Sequence, residues 1–176
     1  DGIRDTSVTG VQTCALPISL QIRQKHLTHD QLLDWTHRSL DMLQGCGSRL
    51  IVNGSFSLEK DLPHEVGIHV TSTELGRLQT SVGERSRLVG CSCHAREELM
   101  KAEAFGFDYA LLSPVSSTAK YPGKSPLGWS RFEELAGAVS LPVYALGGMK
   151  RSDVRIALKR GAAGVAGIGA FDKIMG

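Results

Sequence analysis

Gln21, Arg23 and Lys25 stand at i, i+2 and i+4 of one short run. On a strand that spacing puts an amide, a guanidinium and an ammonium on the same face. Together they suit an anionic or heteroaromatic ligand, although a solvated edge strand would show the same pattern. Gly147-Gly148 and the run Gly164-Val165-Ala166-Gly167-Ile168-Gly169 suggest a second chemistry. Glycines at strand ends let backbone N–H groups approach a phosphate closely. A dinucleotide-binding turn is excluded, because no adequate βαβ unit follows Gly169.

Cys91-Ser92-Cys93-His94 invites a metal reading and then argues against it. On a strand the two thiols face one side while Ser92 and His94 face the other, so the four cannot easily converge on one ion. Buried, reduced thiols are expected instead. His26 and His29, three apart at a helix start, are explained by capping or solvent exposure. The stretch Ser113–Gly128 is long and polar, with two lysines and three prolines, and loops of this length in compact domains often carry function.

The elements that must position these groups alternate. Leu20–Arg23 reads as a strand, and Thr28-x-x-Gln31 as a capping box opening a helix that packs Leu32, Leu33, Trp35, Leu40 and Leu43 and stops at Gly45. Strands are expected at Arg49–Val52, Gly67–Val70, Arg87–Cys91, Tyr109–Leu112, Pro142–Leu146 and Val165–Ile168. Helices are expected at Ala95–Ala104, from a Ser130-x-x-Glu133 cap to Val139, and at Ser152–Arg160. Short apolar strands alternating with helices imply a parallel sheet buried on both faces. A TIM barrel and a doubly wound open sheet both give this alternation. A weak repeat around Gly106 and Gly161 and the count of about seven strands favour a TIM (β/α)8 barrel lacking its first βα unit.

Composition narrows the function classes. With 41% apolar and 22% charged residues among 176, the chain can bury a core, which argues against wholesale disorder. A net charge of +2 is too small for a nucleic-acid surface. No apolar run approaches the ~18–20 residues of a membrane helix. Four cysteines without a small secreted scaffold point to the cytoplasm. Residues 1–18 stand apart. Asp1–Asp5 and Val8–Ile18 resemble the translation of a sequencing-adapter oligonucleotide, with Thr6–Ser7 in place of a sample index. On that reading they are a non-native artefact and the domain spans 19–176.

Q-x-R-x-K at 21–25, V-N at 52–53, G-I-H-V at 67–70 and G-x-S-x-H at 90–94 are followed in order by four further motifs. These are S-P-V-x-x-T at 113–118, P-G-x-x-P-L-G at 122–128, A-L-G-G at 145–148 and G-A-x-G-V-A at 161–166. The set resembles the thiamine phosphate synthase/thiazole tautomerase superfamily across 19–176. Within it, the Cys93-His94 pair and the ALGG strand resemble the synthase-like domain fused behind a Nudix hydrolase, which implies an upstream Nudix partner.

The resemblance implies a TIM barrel that couples a hydroxymethylpyrimidine diphosphate to a thiazole phosphate, with Mg²⁺ assisting loss of pyrophosphate. It implies that Gln21, Arg23, Lys25 and Asn53 hold the pyrimidine diphosphate. Ser92 would face the reacting centre with Thr118 above it, and Gly148, Ile168 and Gly169 would offer amides to the thiazole phosphate. The departures bear on the metal. The family's Asn-Asp pair reads Asn53-Gly54 here, and the second ligand position holds Glu74 in place of aspartate. The loop lysine is displaced to Lys120, with Tyr121 in its place, and the tautomerase histidine falls on Pro114. Three readings stay open: a transferase with a weakened or absent Mg²⁺ site, a phosphate-ligand-binding domain accessory to a Nudix hydrolase, and a metal-free thiazole phosphate tautomerase.

Overall fold

A computed structural model describes residues 18–24, 26–83, 86–117 and 125–167. Seven strands form one sheet: β1 (Ser19–Ile22), β2 (Arg49–Asn53), β3 (Gly67–Val70), β4 (Val89–Cys93), β5 (Tyr109–Leu112), β6 (Val143–Leu146) and β7 (Gly164–Ala166). They lie side by side in chain order, and every neighbouring pair is parallel. That order decides between the two expected architectures. A doubly wound sheet reverses direction at a switch point, and this one never does. Crossovers of one hand stepping one way put the helices on a single face and curl the sheet into seven strands of a (β/α)8 barrel.

The helices are α1 (His29–Leu43), α2 (Ser72–Arg77), α3 (Arg96–Ala104), α4 (Gly128–Ala136) and α5 (Val154–Lys159). The Thr28–Gln31 capping box that opens α1 is formed in both directions. Gly45, just past the end of α1, adopts a φ of 74°, where a Cβ is disfavoured. Trp35 does not join the packed face and is 44% exposed. Thr36 is buried in its place, its hydroxyl donating to the Leu32 carbonyl at 2.7 Å. Positions 32, 36, 40 and 43 make the stripe that meets the sheet, and Trp35 lies one step round the helix from it. Among the described residues no helix is long and apolar enough to cross a membrane.

Several expected boundaries move, two of them for identifiable reasons. The fourth strand starts at Val89 rather than Arg87 because the Arg87 guanidinium turns back to donate to the carbonyls of Val66, Glu59 and Leu62. There it pairs with Glu59 at 3.7 Å and ties the β2–β3 connection to the sheet. Ser130 is not a cap, for it lies inside α4. The amides of Leu127 and Gly128 at the start of that helix are satisfied by the Pro114 and Val115 carbonyls at 2.9 and 3.0 Å. The segment expected as one helix from Ser152 is a 3₁₀ turn at Arg151–Asp153 leading into α5. The last strand ends at Ala166, and Ile168 lies outside the described residues.

Alternation along the strands separates two environments. Ile22, Leu50, Val52, Ile68, Val70, Val89, Cys91, Cys93, Ala110, Leu112, Val143 and Ala145 share one hydrophobic core with Leu75, Leu99, Phe132 and Leu135 of the helices. Each fully buried aliphatic or aromatic side chain there contributes about 1.5–3 kcal/mol. The opposite face, toward the barrel interior, carries Gln21, Asn53, His69, Ser92, Tyr109 and Tyr144. Two glycines make that interior possible. A Cβ on Gly90 would run into the ring of its register partner Tyr109, and one on Gly164 would come within 3.0 Å of the Tyr144 ring.

Candidate active site

Because every strand is parallel, their C-terminal ends share one rim, the end where barrel enzymes keep their chemistry. Gln21 and Arg23 lie at that end of β1 and are half-buried, while Leu20 before them is 43% exposed and Ile22 between them is packed in the core on the other face. This inversion sets β1 apart from a solvated edge strand: the polar residues point in and the leucine points out. Asn53, the last residue of β2, donates from Nδ2 to Gln21 Oε1 at 3.4 Å. The next strands supply His69 and Ser92, joined at 2.9 Å between Nε2 and Oγ. The His69 Nδ1 lies 3.0 Å from the Tyr109 hydroxyl, and Tyr109 also hydrogen-bonds Gln21. Four groups expected at the site, Gln21, Arg23, Asn53 and Ser92, are thus gathered on one face around an imidazole.

That imidazole belongs to the G-I-H-V motif but is not among the site residues expected from the sequence. His69 is fully buried, and burial, with the Arg23 charge adding to it, lowers its pKa to about 3. It is therefore a neutral ring at any ordinary pH. Burial likewise pushes the Tyr109 phenol well above its usual range. The available signal was a histidine inside the apolar run Gly67–Val70, facing Gly90 on the next strand in register.

Gly147 and Gly148 follow β6 with φ of 99° and 68°, and their place against the loop after β5 explains both. A Cβ on Gly148 would sit 2.6 Å from the Ser117 carbonyl oxygen, and one on Gly147 2.8 Å from Pro114 Cα. The Gly147 carbonyl accepts from the Ser116 amide at 3.0 Å. Close backbone packing therefore requires these glycines whatever they also bind, and steric blocking of phosphate by Gly148→Val would be confounded by displacement of that loop. Lys25, Thr118, Lys120, Ile168 and Gly169 lie outside the described residues.

Glu74, in the first turn of α2, accepts the Phe56 amide on Oε1 at 3.2 Å. This draws it toward the loop that begins at Gly54, where the family pattern places a carboxylate. With glycine there, one carboxylate already engaged by a backbone amide is left for a cation that prefers octahedral oxygen coordination. The described residues contain no group of three or more His, Cys, Asp or Glu able to hold a metal. This donor set does not fit a two-carboxylate Mg²⁺ site. Cys91 and Cys93 are buried and free on the core side, their sulfurs 3.7 Å apart, with the Cys93 thiol pushed up by its hydrogen bond to Cys91 and by burial. His94 lies across the sheet from them at the rim, its Nδ1 donating to the Ser113 carbonyl at 2.8 Å.

Known proteins are similar to this chain. The family described as thiamine monophosphate synthase matches residues 11–171, a range that begins within the first eighteen residues. The chain is 30% identical over 155 residues to the thiamine-phosphate synthase of Chlamydia caviae, covering 87% of this chain and 73% of that one. It is 32% identical over 156 residues to the thiamine-phosphate synthase of Prochlorococcus marinus strain MIT 9313, covering 86% of this chain and 43% of that longer one. The solved thiamine phosphate pyrophosphorylase from Pyrococcus furiosus superposes with a TM-score of 0.67 at 17% identity, over 94% of this chain and 79% of that one, a likeness of fold. With a family match across most of its length and a relative at 30% identity, the chain belongs to the thiamine monophosphate synthase family.

Proposed function

We propose that this domain binds a hydroxymethylpyrimidine diphosphate and a thiazole phosphate at the C-terminal rim and joins them. The bond from the pyrimidine methylene carbon to the diphosphate oxygen breaks, and pyrophosphate leaves with the electron pair. The thiazole nitrogen lone pair then forms the new carbon–nitrogen bond. The observation that carries this reading is the half-buried polar face of β1, β2 and β4, with Gln21, Arg23, Asn53 and Ser92 turned to the interior. Arg23, with Lys25 as a proposed partner, offers charge to the diphosphate. Gln21 and Asn53 offer amides to a heteroaromatic ring, and a fixed donor at Ser92 stabilises charge as it develops. Thr118 and Lys120 are proposed to act with Ser92 in catalysis, and Gly148, Ile168 and Gly169 to hold the thiazole phosphate. The family's Mg²⁺ would neutralise the leaving pyrophosphate, but Glu74 alone does not fit its two-carboxylate site, and no step assigned to this chain runs through the ion. The test is pyrophosphate release, which should require both substrates together.

Gly54 favours a second reading. Without its carboxylate the domain could bind the phosphorylated heterocycles and not join them, serving an upstream Nudix hydrolase. Saturable binding of thiazole phosphate with no pyrophosphate release identifies that case. A cytoplasmic setting is supported by the free cysteines Cys46, Cys91 and Cys93 among the described residues, as expected where thiols stay reduced. The adapter reading of residues 1–18 is proposed on their sequence alone, and Ile18 at its end is 74% exposed. Removing residues 1–18 should leave the melting temperature unchanged in a thermal melt, and a drop of several degrees would show that they pack on the domain.

A further inference from the structure

The interior hydrogen bonds form one connected chain, and a single direction along it fixes the role of Ser92. Asn53 Nδ2 donates to Gln21 Oε1, and Gln21 acts on Tyr109 through a hydrogen bond that lowers the phenol pKa against its burial, the sense of an amide N–H donated to the phenol oxygen. A phenol has one proton, and with its oxygen accepting from Gln21 that proton points to the other neighbour, His69 Nδ1 at 3.0 Å. A neutral imidazole accepting on Nδ1 carries its hydrogen on Nε2, 2.9 Å from Ser92 Oγ. Ser92 therefore accepts from His69, and its own O–H is left to donate into the interior.

We propose that His69 is a positioning residue: held as the Nε2–H tautomer by Tyr109, it makes Ser92 a hydroxyl donor toward an acceptor atom of the ligand, an oxyanion or a ring nitrogen. The relay runs Asn53, Gln21, Tyr109, His69, Ser92, across five adjacent strands. Its polarity is the reverse of a nucleophilic serine, in which the imidazole takes the hydroxyl proton. Gly90 belongs to the device, because only a residue without Cβ admits the Tyr109 ring beside it. A dry, neutral ring keeps the arrangement constant across ordinary pH, as an oriented donor requires. The identity of the acceptor as a diphosphate oxygen rests on the function proposed above.

The test uses the full chain with ¹⁵N-labelled histidine, the His69 signal being assigned by its loss in His69→Gln. Two-bond ¹⁵N–¹H spectra separate the two tautomers. The expected result is an Nε2–H ring that does not titrate between about pH 5 and 9, with an Nδ1–H population appearing in Tyr109→Phe. Inorganic pyrophosphate should bind Ser92→Ala at least about fivefold more weakly than the wild type, the scale of one lost hydrogen bond. An Nδ1–H ring in the wild type overturns the proposal, and so does undiminished pyrophosphate binding by Ser92→Ala. Neither measurement reads turnover, so a chain that shows both expected results and never joins its substrates would refute the coupling reaction while supporting the donor role.

Discussion

Gly54→Asp raises Mg²⁺-dependent coupling of the pyrimidine diphosphate to the thiazole phosphate by at least about a hundredfold, or ~3 kcal/mol of barrier. The position is ready to accept it. The Gly54 amide is anchored to the His69 carbonyl at 3.0 Å, and the backbone there is not left-handed. The one obstacle to a Cβ is the tip of the Leu58 side chain, which is half-buried and can rotate. Two residues further on, the Phe56 amide already binds Glu74, so the added carboxylate joins an existing one near the same loop. Initial rates with and without Mg²⁺ check this. A natural chain that already couples at a rate typical of enzymes, with the variant no faster, would show that the missing carboxylate is immaterial.

Acid removes stability through His69. Its folded pKa of about 3 lies below the value of 6.5 for a free imidazole. Below pH 6.5 the unfolded chain takes up a proton that the folded chain refuses. The contribution is complete above about pH 6.5 and is lost as the pH falls toward 3, at about 1.4 kcal/mol per pH unit. Carboxylates also protonate in this range, so the diagnostic quantity is a difference. Urea unfolding of the wild type from pH 6.5 to about 4 should lose roughly 3 kcal/mol more than His69→Gln loses. Equal losses in the two proteins would mean that the folded imidazole protonates readily and is not the dry ring described.

Much of the architecture was legible because the strands are short apolar runs bounded by breakers. Gly67–Val70 and Tyr109–Leu112 were read with the observed limits. What escaped was tertiary. Arg87 looks like the start of a strand until its guanidinium finds three carbonyls on another segment. Ser130 looks like a cap until the loop after β5 satisfies the helix amides itself. The short helix α2 covers six residues, too few to display a period, yet Thr71 and Glu74 have the spacing of a cap and the Thr71 hydroxyl does accept the Glu74 amide. At the site, the spacing of Gln21 and Arg23 was readable from one strand alone. The roles of His69 and Tyr109 were not, because they exist only once register places Gly90 between their strands.

The central claim is that substrate binds at the interior C-terminal rim, and calorimetric titration of the pyrimidine diphosphate into three proteins tests it most directly. Arg23 stands at that rim, whereas Arg49 opens β2 at the opposite end of the sheet and is exposed. Losing a charge-assisted hydrogen bond costs about 1.5–3 kcal/mol, so Arg23→Ala should bind at least about tenfold more weakly than the wild type. Arg49→Ala should bind as the wild type does. Equal affinity in all three proteins, or a loss confined to Arg49→Ala, would contradict the site.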